Sequence, residues 1–203
     1  MVNKAEELAN EVLSFLDKNK KDFNMPWFNK VQRGSDFWKE MTNEGGVCKF
    51  YIFLSALIKL KQPKTVAEMG ADRGGSAICI LSDLTEDGKL YSADIKSLDV
   101  GWDLVPKWDN RLIKISGSDI LAETYPQDFP WENVDIWFID SEHTFDHVKQ
   151  QMEMIKPHLK PGAIILNHDI YSQNINSLLT TYPWDYWEDN KSVFNYGLGV
   201  HVV

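Results

Sequence analysis

The stretch Val-Ala-Glu-Met-Gly-Ala-Asp-Arg-Gly-Gly-Ser at residues 66–76 constrains this chain more than any other. It reads as an extended run ending in an acid, a tight turn bearing glycines, and the start of a new helix. Pro63 precedes a short strand over Thr65–Met69, Gly70 and Gly74 let the backbone turn and come close to a ligand, and Ser76 is placed to open an apolar helix from Ala77 to Leu84. A phosphate-binding version of this turn carries Gly-x-Gly-x-x-Gly, or a Lys after its glycines. Here Glu68 ends the strand and Asp72 sits in the loop, so a pyrophosphate is repelled and a cationic, hydroxyl-rich nucleoside is welcomed.

A second acid extends this reading. Lys89–Asp94 is the next expected strand, and an acid ending the second strand of a doubly wound sheet chelates a ribose diol. S-adenosylmethionine has that diol together with an ammonium and a sulfonium. The pair Glu68 and Asp94, with the turn Glu-Met-Gly-Ala-Asp-Arg-Gly-Gly-Ser at 68–76, resembles the first motifs of the class I S-adenosylmethionine-dependent methyltransferases. The resemblance implies cofactor contacts from Glu68, Gly70, Ala71, Gly74, Ser76, Asp94, Ile95, Asp119 and Asp140. An ordinary strand-turn-helix with solvated acids is the plain structural alternative.

Length and charge narrow the field. A chain of 203 residues can bury roughly 70% of its unfolded surface, enough for one sizeable core. The net charge of −9 and the lack of a basic stripe exclude a nucleic-acid surface. No run is long enough to span a bilayer, and the start Met-Val-Asn-Lys-Ala-Glu-Glu has no apolar core behind a basic stretch, so a cytoplasmic protein without membrane contact is expected. Cys48 and Cys79 lie in apolar helical stretches without a close-spaced partner, which reads as free buried thiols. Nothing in the composition excludes a homo-oligomer.

Along the chain, Ala5–Lys20 places Leu8, Val12, Leu13, Phe15 and Leu16 on one broad helical face. Residues 22–46 mix aromatics with polar residues without a clean period and read as an irregular lid or as packing over the sheet edge. Val47–Leu60 is an apolar helix. Alternation then continues in βα order: a helix at 76–84, strands at 89–94, Leu112–Ser116 and Val134–Ile139, a helix His143–Leu159, and a strand Ala163–Asn167 after Pro161-Gly162. Such connections are right-handed and give a parallel sheet. Tyr186–Asp189 and Tyr196–Val203 read as an antiparallel closing pair. The expected fold is a Rossmann-like, doubly wound α/β sheet, mainly parallel with an antiparallel closing strand and helices on both faces. It forms one domain over 1–203, with an N-terminal helix and lid at 1–46 and a cofactor-binding core at 47–203.

A third constellation is Ile-Asp-Ser-Glu-His at 139–143, followed by Lys-Pro-Gly-Ala-Ile-Ile-Leu-Asn-His-Asp at 160–169. Both polar clusters fall at carboxyl ends of adjacent strands, where ligands bind in open α/β sheets. They resemble one branch, the small-molecule O-methyltransferases related to macrolide-sugar O-methyltransferases and cephalosporin hydroxylase-like proteins. The resemblance spans roughly residues 45–170. It implies that Asp140, His168 and Asp169 ligate a divalent cation, Mg²⁺ or Mn²⁺, and that His143 is the general base beside Asp140. Ser141, Ala163 and Phe145 replace the branch's usual Gly, Gly and Tyr, and Gln151 stands where it often has Asp and is expected to be structural. The alternative for this cluster is an Asp140 that only packs near the cofactor and a His168 that is hydrogen-bonded at a strand end.

The chemistry suits these residue types. Methyl transfer is an in-line displacement at an activated carbon, so an enzyme must align a nucleophile and remove its proton. An aliphatic hydroxyl is a poor nucleophile at neutral pH; a cation acidifies it and a histidine accepts the proton. His147, four residues after His143 on the expected helix, falls a turn further from the site and reads as a solvated surface residue. Ser118 or Asp119 could instead cap a helix. Trp102 and Trp108 are candidates to stack on adenine or substrate, and the rest of the tryptophans read as core or lid. The reading is a methyltransferase that moves a methyl group from S-adenosylmethionine to a hydroxyl of a small molecule with divalent-metal assistance. The rivals are a catalytically silent S-adenosylmethionine-binding protein and a dinucleotide-dependent oxidoreductase.

Overall fold

The computed structural model describes residues 2–19, 49–72, 74–95, 110–189 and 196–203. The expected lid at 22–46, Cys48, Trp102, Trp108 and nearly all of the loop 97–110 lie outside them.

The chain opens with α1 (Lys4–Lys18), whose cap Asn3 accepts from the amides of Ala5 at 3.0 Å and Glu6 at 3.1 Å. The apolar helix α2 (Lys49–Lys61) leads into β1 (Thr65–Met69), followed by α3 (Gly75–Asp83), β2 (Lys89–Asp94) and β3 (Leu112–Ser116). After two single-turn 3₁₀ segments come β4 (Ile136–Ile139), α4 (Phe145–Ile155), β5 (Ile164–His168), α5 (Ile175–Leu179), β6 (Asp185–Glu188) and β7 (Leu198–Val202). The seven strands form one sheet in the order β3-β2-β1-β4-β5-β7-β6. β1 to β5 run parallel, and β7 is antiparallel to both β5 and β6. The expected doubly wound topology is what the chain adopts.

Side-chain alternation along the central strands builds two cores, one on each face of the sheet. Val66, Leu90, Ile136, Phe138, Ile164 and Leu166 meet α1, α2 and α3. Ala67, Met69, Ala93, Trp137, Ile139 and Ile165 meet α4, α5 and the aromatic pair Tyr125 and Phe129. All four residues of β4 are buried, and each large side chain removed from water there contributes roughly 1.5–3 kcal/mol. That buried strand fixes where its polar continuation, Asp140–His143, emerges. α1 seals the β6–β7 side of the first face, and Asn3 Nδ2 donates to the Tyr186 carbonyl at 2.9 Å. No helix among the described residues is long and apolar enough to cross a membrane.

Three local expectations are corrected. The cap of α3 is Gly74, held at φ 81°, and the helix starts at Gly75; Ser76 lies inside it, and its hydroxyl donates to the buried Glu68 instead of capping. α4 starts at Phe145 because Thr144 caps it through the His147 amide, which leaves His143 in the loop before the helix. No helix is capped by Ser118 or Asp119: the next helical turn, Ala122–Thr124, has Leu121 at its cap. The segment between β5 and β6 contains α5.

Candidate functional site

A cleft of about 570 Å³ opens at the carboxyl ends of β1, β2, β4 and β5, at the point where strand order reverses. Gly70, Ala71, Ser76, Asp94, Ile95, Asp119, Asp140, His143, His168 and Asp169 all line it. Two of the expected cofactor residues, Glu68 and Gly74, do not.

On the β1–β2 side the turn after β1 takes left-handed backbone at Gly70 (φ 92°), Asp72 (φ 39°) and Gly74 (φ 81°). A Cβ at Gly70 would collide with the Asp140 carbonyl and Ser141 Cα, so this glycine is required by the close passage of the β4 end. Asp94 closes the turn: its Oδ2 accepts from the Asp72 amide at 2.7 Å, while its side chain still faces the cleft. Beneath them Glu68 is buried, and its two oxygens accept from the hydroxyls of Ser76 and Ser92. Burial pushes Glu68 up to about 7 against the pull of those two hydrogen bonds, with the carboxylates of Asp140 and Asp94 adding to the rise. Glu68 therefore acts on the cleft through Ser76 rather than by direct contact. Ser92 was not foreseen, although its place two residues before Asp94 on the same strand puts it beside Glu68 in register.

On the β4–β5 side two acids and two histidines converge. His143 Nε2 lies 3.1 Å from Asp140 Oδ1 and 3.2 Å from Asp169 Oδ2; His168 Nδ1 lies 3.0 Å from Asp140 Oδ1 and 3.2 Å from Asp169 Oδ1. Only the two contacts to Asp140 have hydrogen-bond geometry, so Asp169 Oδ1 is buried without a donor. Asp169 also holds the unusual backbone φ of 56°, a conformation maintained at a cost where the surroundings demand it. The ring of His168 stacks on Phe50 at 4.3 Å between centroids, and Ser172 Oγ donates to the His143 carbonyl at 3.0 Å.

Charge balance sets the protonation of this cluster. Burial disfavours ionised Asp140, but the positive charge of His168 and the hydrogen bonds from His143 and His168 overcome it and hold Asp140 below the usual carboxylate range. The hydrogen bond to Asp140 raises His143 above the ordinary imidazole value against the opposing effect of burial. Burial pulls His168 down, yet the facing Asp140 and Asp169 raise it overall. Asp169 is raised by burial. Asp140, His143 and Asp169 each present one ligand atom within 4.8 Å of the others, the geometry of a cation site. In this arrangement His143 completes the trio of ligand atoms, where His168 had been expected to.

A fourth group was missed. His147 is not a solvated surface residue: its side chain is 15% exposed, and its Nε2 lies 3.1 Å from Asp119 Oδ1 on the cleft wall. The fully buried Gln151 donates from Nε2 to Asp119 Oδ2 and to Ser141 Oγ, each at 2.7 Å. His147 and Gln151 stand four apart on α4, and that shared stripe was the available signal.

A family model described as a methyltransferase domain matches residues 67–170, about half the chain. No curated protein matches in sequence. Among solved structures, cofactor-bound Rv0187 from MTB aligns with a TM-score of 0.71 at 16% identity over 95% of each chain. The O-methyltransferase TomG from Streptomyces achromogenes, involved in tomaymycin synthesis and solved with SAM, aligns at 0.68 and 15% identity over 100% of this chain and 99% of its own. SAH-bound methyltransferase PaMTH1 from Podospora anserina aligns at 0.66 and 15% identity, covering 100% and 97%. At these identities the likeness establishes the fold.

Proposed function

The chain belongs to the methyltransferase domain family, and on that premise we propose that it transfers a methyl group from S-adenosylmethionine to a hydroxyl of a small molecule in the cytoplasm, assisted by a divalent cation. One observation carries the reading: a single cleft has Asp94 at its β2 end and the cluster of Asp140, His143, His168 and Asp169 at its β4 and β5 ends. The first suits a ribose diol and the second a proton-bearing acceptor.

S-adenosylmethionine supplies the activated methyl group. Asp94, already tied to the Asp72 amide, binds the ribose with its remaining acceptor capacity, and the Gly70 turn brings the backbone against the ligand. Glu68, neutral or ionised near pH 7, fixes Ser76 and the first turn of α3 beneath it. Ile95, exposed at the cleft, offers an apolar surface to the base. The donor set fits a divalent cation, since Asp169, a member of the trio, has its Oδ1 buried without a hydrogen-bond donor. Asp140 and Asp169, with His143 or His168, would hold it. When bound, such an ion lowers the pKa of a coordinated hydroxyl. The carboxylates suit Mg²⁺, and the imidazoles make Mn²⁺ competitive. His143, at the rim, is the residue we assign to accept the acceptor's proton, and in that role it leaves His168 to join Asp140 and Asp169 on the ion.

Calorimetry with S-adenosylhomocysteine, followed by transfer of labelled methyl to a panel of small hydroxyl compounds, tests the proposal. Expected are tighter binding of S-adenosylhomocysteine than of a nicotinamide dinucleotide, and transfer that stops with chelator and returns with Mg²⁺ or Mn²⁺. Preference for the dinucleotide would refute the donor. Full turnover in excess chelator, with no metal by elemental analysis, would leave Asp140 and Asp169 as residues of the cofactor's surroundings only.

A further inference from the structure

We infer that Phe50 is the positioning residue that makes His168, rather than His143, the nitrogen ligand of the cation. The inference rests on the divalent-cation reading. Two imidazoles face the same pair of carboxylates, His143 through Nε2 and His168 through Nδ1, at 3.0 to 3.2 Å. Distance therefore does not choose between them. What differs is how each ring is held.

Phe50, in the first turn of α2, is buried and lies on the His168 ring at 4.3 Å between centroids, with 27° between the planes. Its ring also stacks on the buried Phe138 of β4, at 5.2 Å and 29°. The column of Phe138, Phe50 and His168 is thus rooted in the first core and ends at the cluster of acids. A ligating histidine is ordinarily oriented by a hydrogen bond from its second ring nitrogen. His168 has none: Nδ1 faces Asp140 and Asp169, and Nε2 has no hydrogen-bond partner among the described residues. The stack on Phe50 takes that place, fixing the plane of the ring while the two carboxylates select the edge that carries Nδ1. The face of an aromatic ring is negative, so it also favours an imidazole that gains positive character on binding a cation. His143 lacks this support. Its side chain is 35% exposed against 16% for His168, no aromatic ring stacks on it among the described residues, and Ser172 holds only its backbone carbonyl. A ring already fixed loses little freedom on ligation, whereas a looser one at the rim can follow an acceptor and take its proton.

The test is the ratio of Mn²⁺ to Mg²⁺ affinity, measured by calorimetry. Mg²⁺ draws on the carboxylates while Mn²⁺ gains from a nitrogen ligand, so the ratio reports the imidazole and is insensitive to a general loss of folded protein. Wild type is expected to favour Mn²⁺. His168→Ala should remove most of that preference, and His143→Ala should keep it. Phe50→Leu, which leaves both histidines in place, should lower the ratio by roughly 10-fold, the lower end of the range for losing the support behind a metal ligand. Phe50→Tyr keeps the ring and should stay close to wild type. Pulsed EPR of bound Mn²⁺ reads the same event, with nitrogen coupling expected in wild type, absent in His168→Ala and weakened in Phe50→Leu. Loss of the preference in His143→Ala, a wild-type ratio in Phe50→Leu, or a wild type that does not favour Mn²⁺ overturns the inference. If wild type binds neither ion, the cation reading itself fails and takes this inference with it.

Discussion

At the β1–β2 side of the cleft the hydroxyls of Ser76 and Ser92 donate to Glu68, and the amide of Asp72 donates to Asp94. At the β4–β5 side Asp140 and Asp169 face two imidazoles, His143 and His168, across 3.0 to 3.2 Å. Hydroxyl and amide donors orient a carboxyl group, which suits a surface that must bind one ligand in one pose. Imidazoles against carboxylates make a coupled set whose protonation and cation affinity trade against each other. The two sides share a wall, since Gly70 packs on the Asp140 carbonyl; under the proposed function one would grip the donor and the other would exchange protons.

If that contrast is right, substitutions on the two sides separate turnover from affinity. The largest effect is expected from His143→Ala, which should lower methyl-transfer turnover roughly 10²- to 10⁴-fold while S-adenosylhomocysteine affinity stays within a few-fold. Steady-state kinetics beside calorimetry read both quantities, and equal losses in both would erase the distinction. Because Asp140 raises His143 above its ordinary value, the acid limb of the metal-free protein's His143 titration should lie above pH 6.5 and move down in Asp140→Asn, visible by NMR.

Next in size is Asp94→Ala. It should weaken S-adenosylmethionine binding by roughly 2–4 kcal/mol through two charge-assisted hydrogen bonds, with kcat at saturating donor little changed. A collapse of kcat at saturation would place Asp94 in the chemistry and break the division.

The smallest effect concerns stability. Glu68 has a folded pKa of about 7 against 4.5 for the unfolded chain, so the unfolded state gives up its proton first as pH rises. The stability it contributes is fully present below pH 4.5 and is lost as pH rises through 7, on the order of 3 kcal/mol in total. Glu68→Gln, which can keep both serine partners, should flatten the dependence between pH 4.5 and 8 in urea titrations. An unchanged slope would mean that Glu68 ionises in the folded protein as it does in the unfolded chain and that its burial does not raise it.

The alternation of strands and helices, their order, and the placement of Asp94, Asp140 and Asp169 at strand ends were legible in the sequence. Each depends on short-range properties: side-chain periodicity, glycine turns, and the rule that a polar residue ending a buried apolar strand emerges at the sheet's edge. The bounds of β1, β2 and β3 were legible to the residue for the same reason. Tertiary packing alone decided the partners. Glu68 lies one residue before the end of β1, where Ser76 and Ser92 enclose it, whereas Asp94 is the last residue of β2 and reaches the cleft. His147 read as solvated because its neighbours in sequence are polar; the end of β3 brings Asp119, 28 residues away, against it. Phe50 reaches His168 only because α2 lies across the face that β5 also presents. Contacts between residues far apart in the chain carry no local signature, and in this protein they decide which carboxyls and which histidines are raised.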